Sequence, residues 1–169
     1  LMTPSLKPHD EEQRLKLLRQ TELLDTPPEA HYDNMTHILA QAFEAPICLV
    51  TLVDAERVWF KSKFGMEACE IPRDTSCCAH VVNARQPIVC HDTTTDSRFN
   101  DSPCTLEAGF RFYMGHPIIP PGTRHVIGTV CVIDTKPRKS VPQEMQDLFH
   151  QMVSVVNGMV SMTINLAQK

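Results

Sequence analysis

Five stretches between residues 47 and 134 constrain this chain more than anything else in it. They are ICLVTLVD (47–54), RVWFKSKFG (57–65), PIVCHD (87–92), FRFYMGHPII (110–119) and HVIGTVCVID (125–134). Each is rich in β-branched or aromatic residues and bounded by Asp, Gly or Pro, the signature of a strand. The corner Asp54-Ala55-Glu56 joins the first two. PPGTR (120–124) joins the last two, with Pro and Gly where a hairpin turn needs them. Adjacent hairpins make the sheet antiparallel. CCAHVVNAR (77–85), between the second and third strands, reads as a short helix.

Helices flank this block. Residues 10–24 form an amphipathic pattern, with Leu15 and Leu18 three apart. A second helix is predicted from Thr26-Pro27-Pro28-Glu29, where Thr26 caps, Pro27 takes the first helical position and Glu29 completes a capping box. Met35, Ile38, Leu39 and Ala42 line one face of it as far as about Phe43. A long C-terminal helix is predicted from Ser140, with Pro142 in its first turn. Along it, Met145, Leu148, Met152, Val155, Met159, Met162 and Leu166 step by three and four alternately. That seam suits a coiled-coil dimer or one helix laid on the sheet. Val156 and Val160 widen the stripe, so one edge can meet the sheet and another a partner.

The resulting class is α+β: a central antiparallel sheet of five or six strands, terminal helices on one face, and a pocket under loops and short helices on the other. The connections 66–86 and 92–109 must cover that second face, and long loops over a sheet are where small ligands are held. Residues 1–9 are expected to be a disordered or expression-derived lead, and 10–166 a single domain, as the length of 169 residues suggests.

Composition removes several functions. The net charge is -4, and Lys and Arg are scattered (Arg14, Lys16, Arg19, Lys61, Lys63, Lys136, Arg138, Lys139). This reads as a solvated surface rather than a basic stripe, so no nucleic-acid partner is expected. No apolar run is long enough for a bilayer and no signal peptide is evident, so no membrane partner is expected. Seven cysteines at irregular spacing, without a paired CxxC framework, fit a reducing, cytoplasmic setting. Those in PICLV and GTVCVID read as small buried hydrophobes.

The chemistry-bearing candidates cluster in PRDTSCCAH (72–80) and on the fourth strand. Cys78 can be a thiolate near a helix start, with His80 polarising it or binding an anion. Equally, Cys78 can pack inward while His80 makes a buried hydrogen bond. Adjacent cysteines diverge, so Cys77, Cys78, His80, Cys90 and His91 are not expected to hold a metal. Alternation puts Arg111 and Tyr113 on one face of the fourth strand and Phe110, Phe112 and Met114 on the other. Arg111 beside Tyr113 can grip a carboxylate or phosphate, or it pairs internally with Asp92 or Asp96. Phe99 anchors a loop containing Asp96 and Arg98. Of Trp59 and Phe60, Trp59 is expected in the core and Phe60 partly exposed. Asp54 and Asp134 are expected to cap turns.

An ordered set of segments resembles a GAF domain of the subgroup in bacterial-type sensor histidine kinases and cyclic-dinucleotide signalling enzymes. They are LLDTPPEAHYD (23–33), APICLVTLVDAERVWFKSKFG (45–65), PRDTSCCAH (72–80), PIVCHDTTTDSRFND (87–101), GFRFYMGHPI (109–118) and IGTVCVIDTKPR (127–138). The subgroup usually has Phe where this chain has Cys77, and Pro-Asp where it has His91-Asp92. The resemblance implies a non-catalytic, regulatory domain in signal transduction that binds an unknown small molecule and dimerises through its terminal helices. It would be part of a larger protein or a stand-alone dimeric sensor. The implied pocket residues are Cys78, His80, Asp92, Phe99, Arg111 and Tyr113, and the implied dimer seam is Met145, Leu148, Met152, Val155, Met159 and Met162. Two alternatives stand beside it. One is a thiol-dependent reductase of the free methionine sulfoxide type, using Cys78 with Cys104 or Cys90; the other is a ligand-free dimerisation module.

Overall fold

The computed structural model describes residues 7–167, with side chains placed through residue 164. Its elements run α1 (Glu11–Gln20), α2 (Ala30–Phe43), β1 (Ile47–Val53), β2 (Arg57–Phe64), β3 (Glu70–Pro72), α3 (Cys77–Ala84), β4 (Ile88–Cys90), α4 (Pro103–Leu106), β5 (Phe112–Ile118), β6 (Gly128–Asp134) and α5 (Gln143–Ala167). Six strands form one antiparallel sheet in the order β3-β2-β1-β6-β5-β4. The five strands expected from sequence are present, and the short edge strand β3 adds a sixth. Among the described residues, no helix is long and apolar enough to cross a membrane. Residues 1–6 of the expected lead and Leu166 of the seam lie outside the placed side chains.

Both faces of the sheet are covered, so alternation along each strand feeds two cores. Val50, Leu52, Trp59, Phe112, Met114, Val130 and Val132 meet α1, α2 and α5 on one face. Leu49, Val58, Phe60, Tyr113 and Cys131 meet α3 and the 92–110 segment on the other. This corrects the expectation for Phe60: with two covered faces, Trp59 and Phe60 are both buried. Phe110 is corrected too. It precedes β5, is free of the strand's alternation, and packs on the α3 side.

Three helix expectations change. Glu29 is extended and α2 starts at Ala30 without a side-chain cap. Thr26 and Glu29 are diverted to Lys61, whose buried ammonium donates to Thr26 Oγ1 and Pro27 O at 2.8 Å and meets Glu29 at 2.6 Å. A register shift between Val50 and Thr51 in the β1–β2 pairing brings this segment of β2 against α2: Ser62 donates to Asp33 at 2.6 Å. In α2 the buried face is Tyr32, Met35, Thr36, Leu39, Ala40 and Phe43, leaving Ile38 44% exposed. In α5 the stripe against the sheet is Phe149, Val153, Val156, Val160 and Ile164. Met145, Leu148, Met152 and Met159 only flank it, while Val155 and Met162 are 51% and 65% exposed.

Arg14 departs furthest from its surface reading. Its guanidinium is fully buried, donating to Val53 O at 2.6 Å and Val126 O at 3.3 Å while pairing with Glu11. Arg73 holds the same carboxylate at 2.6 and 3.0 Å. Together they fasten α1 to the end of the sheet.

Candidate functional site

The second face carries a small, partly open cavity of about 20 Å³, room for one water-sized molecule. Leu49, Phe60, Tyr113 and Ile133 rise into it from the sheet, and Ser76, Cys77 and Cys78 descend from the start of α3. Met66, Ile71, Cys104 and Phe110 close its outer side. The same four residues line a surface groove of about 200 Å³, so these side chains border both spaces.

Local sequence explains how Cys78 reaches this place. Ser76 caps α3, its Oγ accepting from Cys78 N at 3.1 Å, which fixes the first turn with the thiol inward. There Tyr113 Oη donates to Cys78 Sγ at 3.3 Å and Thr129 Oγ1 at 3.2 Å. Thr129 Oγ1 also lies 2.7 Å from Thr51 Oγ1. With the Thr129 proton spent on sulfur, Thr51 donates in that pair. Led by the Cys131 thiol and supported by Thr129, Tyr113 and Ser76, the surrounding polar groups outweigh burial and hold the Cys78 thiol below its ordinary range. Cys131 moves up beside Cys78, and Tyr113 moves up chiefly through burial.

The six expected pocket residues separate. Cys78 and Tyr113 line the cavity; the other four do not. Phe99 is fully buried beside Tyr113 and anchors its loop as expected. His80 stands edge-on to Phe99 at 5.1 Å, and its buried Nε2 has no partner among the described residues. Aromatic packing, not the expected hydrogen bond, positions the ring, and burial followed by the Arg98 charge lowers its pKa. Asp92 is turned outward, accepting from Thr94 N at 3.0 Å and Thr94 Oγ1 at 2.6 Å. Arg111 ties down the 92–109 loop as one reading had it, but through carbonyls rather than a carboxylate: its Nη1 donates to Thr105 O at 2.9 Å and Phe110 O at 3.0 Å. Asp96 is instead held by Arg98 at 2.7 and 3.0 Å. Asp54 and Asp134 accept from the amides of Ala55 and Lys136, ending their strands as turn caps.

Ser76, Thr129 and Cys131 are the site residues the sequence reading missed. Thr51 and Thr129 were detectable in principle, because a hydroxyl inside an otherwise apolar strand must find a partner. A wider cleft of about 430 Å³ lies against β2, lined by Asp25, Asp33, Trp59, Lys61 and Lys63 among others. Much of its polarity is already committed. Lys61 is satisfied by Thr26, Pro27 and Glu29, Ser62 by Asp33, and Lys63 by Glu67 O at 2.6 Å. Among the described residues, no three His, Cys, Asp or Glu side chains gather as a metal site.

Comparison with known proteins agrees with this architecture. Over 132 residues, 78% of this chain, the sequence is 31% identical to a cyclic di-GMP phosphodiesterase of Pseudomonas aeruginosa, of which it spans only 22%. In structure it is similar to the GAF domain of an Acinetobacter phosphoenolpyruvate-protein phosphotransferase, with a TM-score of 0.64, 17% identity and coverage of 92% of this chain and 95% of that one. It is also similar to the free methionine-R-sulfoxide reductase of Neisseria meningitidis, at 0.63, 15%, 99% and 98%. At these identities the structural likenesses speak to fold alone. Residues 27–158 match the GAF domain family. With that match, the six-stranded sheet and the helix-covered cavity, this chain belongs to the GAF domain family.

Proposed function

We propose that this chain is a sensory domain of a signalling protein. It takes a small molecule on the Cys78–Tyr113 side of the sheet and reports occupancy through α5. The observation that carries the reading is the small cavity at Cys78, where hydrogen-bond donors from β5 and β6 converge behind Met66, Ile71, Cys104 and Phe110. Rotation of Met66, Ile71, Cys104 and Phe110 would merge it with the outer groove. The relationship to a cyclic di-GMP phosphodiesterase supports a setting in cyclic-dinucleotide signalling, and the seven free cysteines support a reducing, cytoplasmic one. The exposed Val155 and Met162 on α5 support a homodimer through this helix.

Native mass spectrometry of the freshly purified, reduced protein tests both parts. A dimer carrying organic mass is the expected spectrum. A bare dimer favours a dimerisation module, and a monomer removes the seam from the proposal.

One observation favours a second, catalytic reading: Cys78 accepts several donors and shares its cavity with Cys104. A thiol-dependent reduction of free methionine sulfoxide would use Cys78 as nucleophile and Cys104 as resolving thiol. A thiol-coupled assay decides. Turnover abolished by Cys78→Ser establishes the reductase, and no turnover by the unmodified protein eliminates it.

A further inference from the structure

Cys77 and Cys104 form a second thiol pair at the cavity, distinct from Cys78 and Cys131. Cys77 comes from the first turn of α3 and is buried; Cys104 comes from α4 and is partly exposed. Both line the cavity, but only Cys104 also lines the outer groove. Its thiol reaches Thr75 O at 3.4 Å, directly beside the start of α3. The two thiols line one space of about 20 Å³, which makes them close neighbours.

We propose that Cys104 and Cys77 are a redox pair that a small peroxide converts to a disulfide across the cavity entrance. The groove, about 200 Å³, admits hydrogen peroxide to Cys104, whereas Cys77 is reached only from inside. The two positions divide the roles. The sulfur open to the groove is attacked first, and the buried one resolves.

The neighbouring Cys77, joined by Ser102, lowers the Cys104 pKa against the effect of burial, while Cys77 moves up. The asymmetry favours thiolate at Cys104, the form that reacts. The Cys104 thiolate attacks one peroxide oxygen. An S–O bond forms as the O–O bond breaks, hydroxide leaves and takes up the proton released by the thiol, and Cys104 becomes a sulfenic acid. The Cys77 sulfur then attacks the sulfenic sulfur. An S–S bond forms, the S–O bond breaks, and the departing hydroxide takes the Cys77 proton as a second water. Two thiols and one peroxide become one disulfide and two waters, with two electrons passing from sulfur to oxygen.

The cross-link joins α3 to α4 and ties one wall of the passage to the other. It needs no small-molecule ligand and no methionine sulfoxide, so it does not rest on the sensory reading, and its product differs from the Cys78–Cys104 disulfide that the reductase reading requires. Cys69, exposed beside the separate β2 cleft, is an internal control.

The test is to treat the reduced protein with equimolar hydrogen peroxide, alkylate it, digest it without reductant and map the peptides, fragmenting between Cys77 and Cys78. The expected result is a loss of two hydrogens, a Cys77–Cys104 linkage, and Cys69 still alkylated. Cys104→Ser should abolish the linkage, and Cys77→Ser should leave Cys104 as a sulfenic acid trapped by dimedone. The wild-type map decides even if a variant fails to fold. A linkage from Cys104 to Cys78 or Cys90, or oxidation of Cys104 to sulfinic acid without any linkage, overturns the proposal.

Discussion

Arg14 shows how much a single side chain can carry without any signal in its own neighbourhood. In sequence it belongs to a scatter of surface cations; in the fold it is buried and bonded to carbonyls 39 and 112 residues away. Nothing local announces such partners. Arg14→Met should cost about 3 kcal/mol, because it strands the carbonyls it served and removes one of the two cations on Glu11. Urea denaturation reads this directly. Burial opposes the charge on Glu11, but hydrogen bonds from Arg73 and Arg14 prevail and hold its pKa at about 2 against an ordinary 4.5. A depressed folded-state pKa gives stability that is complete above pH 4.5 and lost as pH falls toward 2. Solvent screening leaves about 1–2 kcal/mol of this, which Glu11→Gln should remove from the acid limb of the pH–stability curve. Cys78 was legible as a residue of interest, since two cysteines and a histidine stand together. Its partners were not, because they arrive from β5 and β6. Tyr113→Phe should therefore raise the Cys78 thiol pKa and cost about 1 kcal/mol, with the pH profile of its alkylation as the readout.

At the scale of elements, periodicity located strands and helices well and assigned faces less well. The C-terminal helix was plain from its apolar steps, yet the stripe that docks on the sheet is Phe149, Val153, Val156, Val160 and Ile164, offset from the methionine seam. A broad apolar surface does not say which part meets the larger partner; the sheet took the largely β-branched edge and left the methionines beside it. Val156→Ala should cost about 2 kcal/mol by leaving a cavity, whereas Met162→Asp should change monomer stability by less than about 0.5 kcal/mol. If α5 is the dimer contact, Met162→Asp should nonetheless halve the mass seen by light scattering. The start of α2 was misread for a similar reason: Thr26 and Glu29 look like a capping box until Lys61, 35 residues beyond Thr26, takes both. Gly128 opens β6 where the backbone of β1 lies close, and a Cβ there would fall 1.9 Å from Thr51 O. Gly128→Ala should force the two central strands apart and cost upward of about 2 kcal/mol, measurable as a fall in the urea midpoint.

For the whole molecule, one sheet separates two cores, and the central strands β1 and β6 supply side chains to both. Neither core can dissolve while the strands remain paired, so unfolding should be a single transition. Trp59 is the sole tryptophan and sits in the helix-side core. Its fluorescence should therefore change at the same urea concentration as the far-ultraviolet signal of the whole chain; separate midpoints would show independent cores. The alternation along β6 has a mechanical meaning as well. Thr129 and Cys131 touch Cys78 on one side, while Val130 and Val132 press toward the helix layer on the other. The strand is thus a diaphragm one backbone thick. Displacing it from beneath moves the valines above it in the same stroke, and no relay of intervening residues is required.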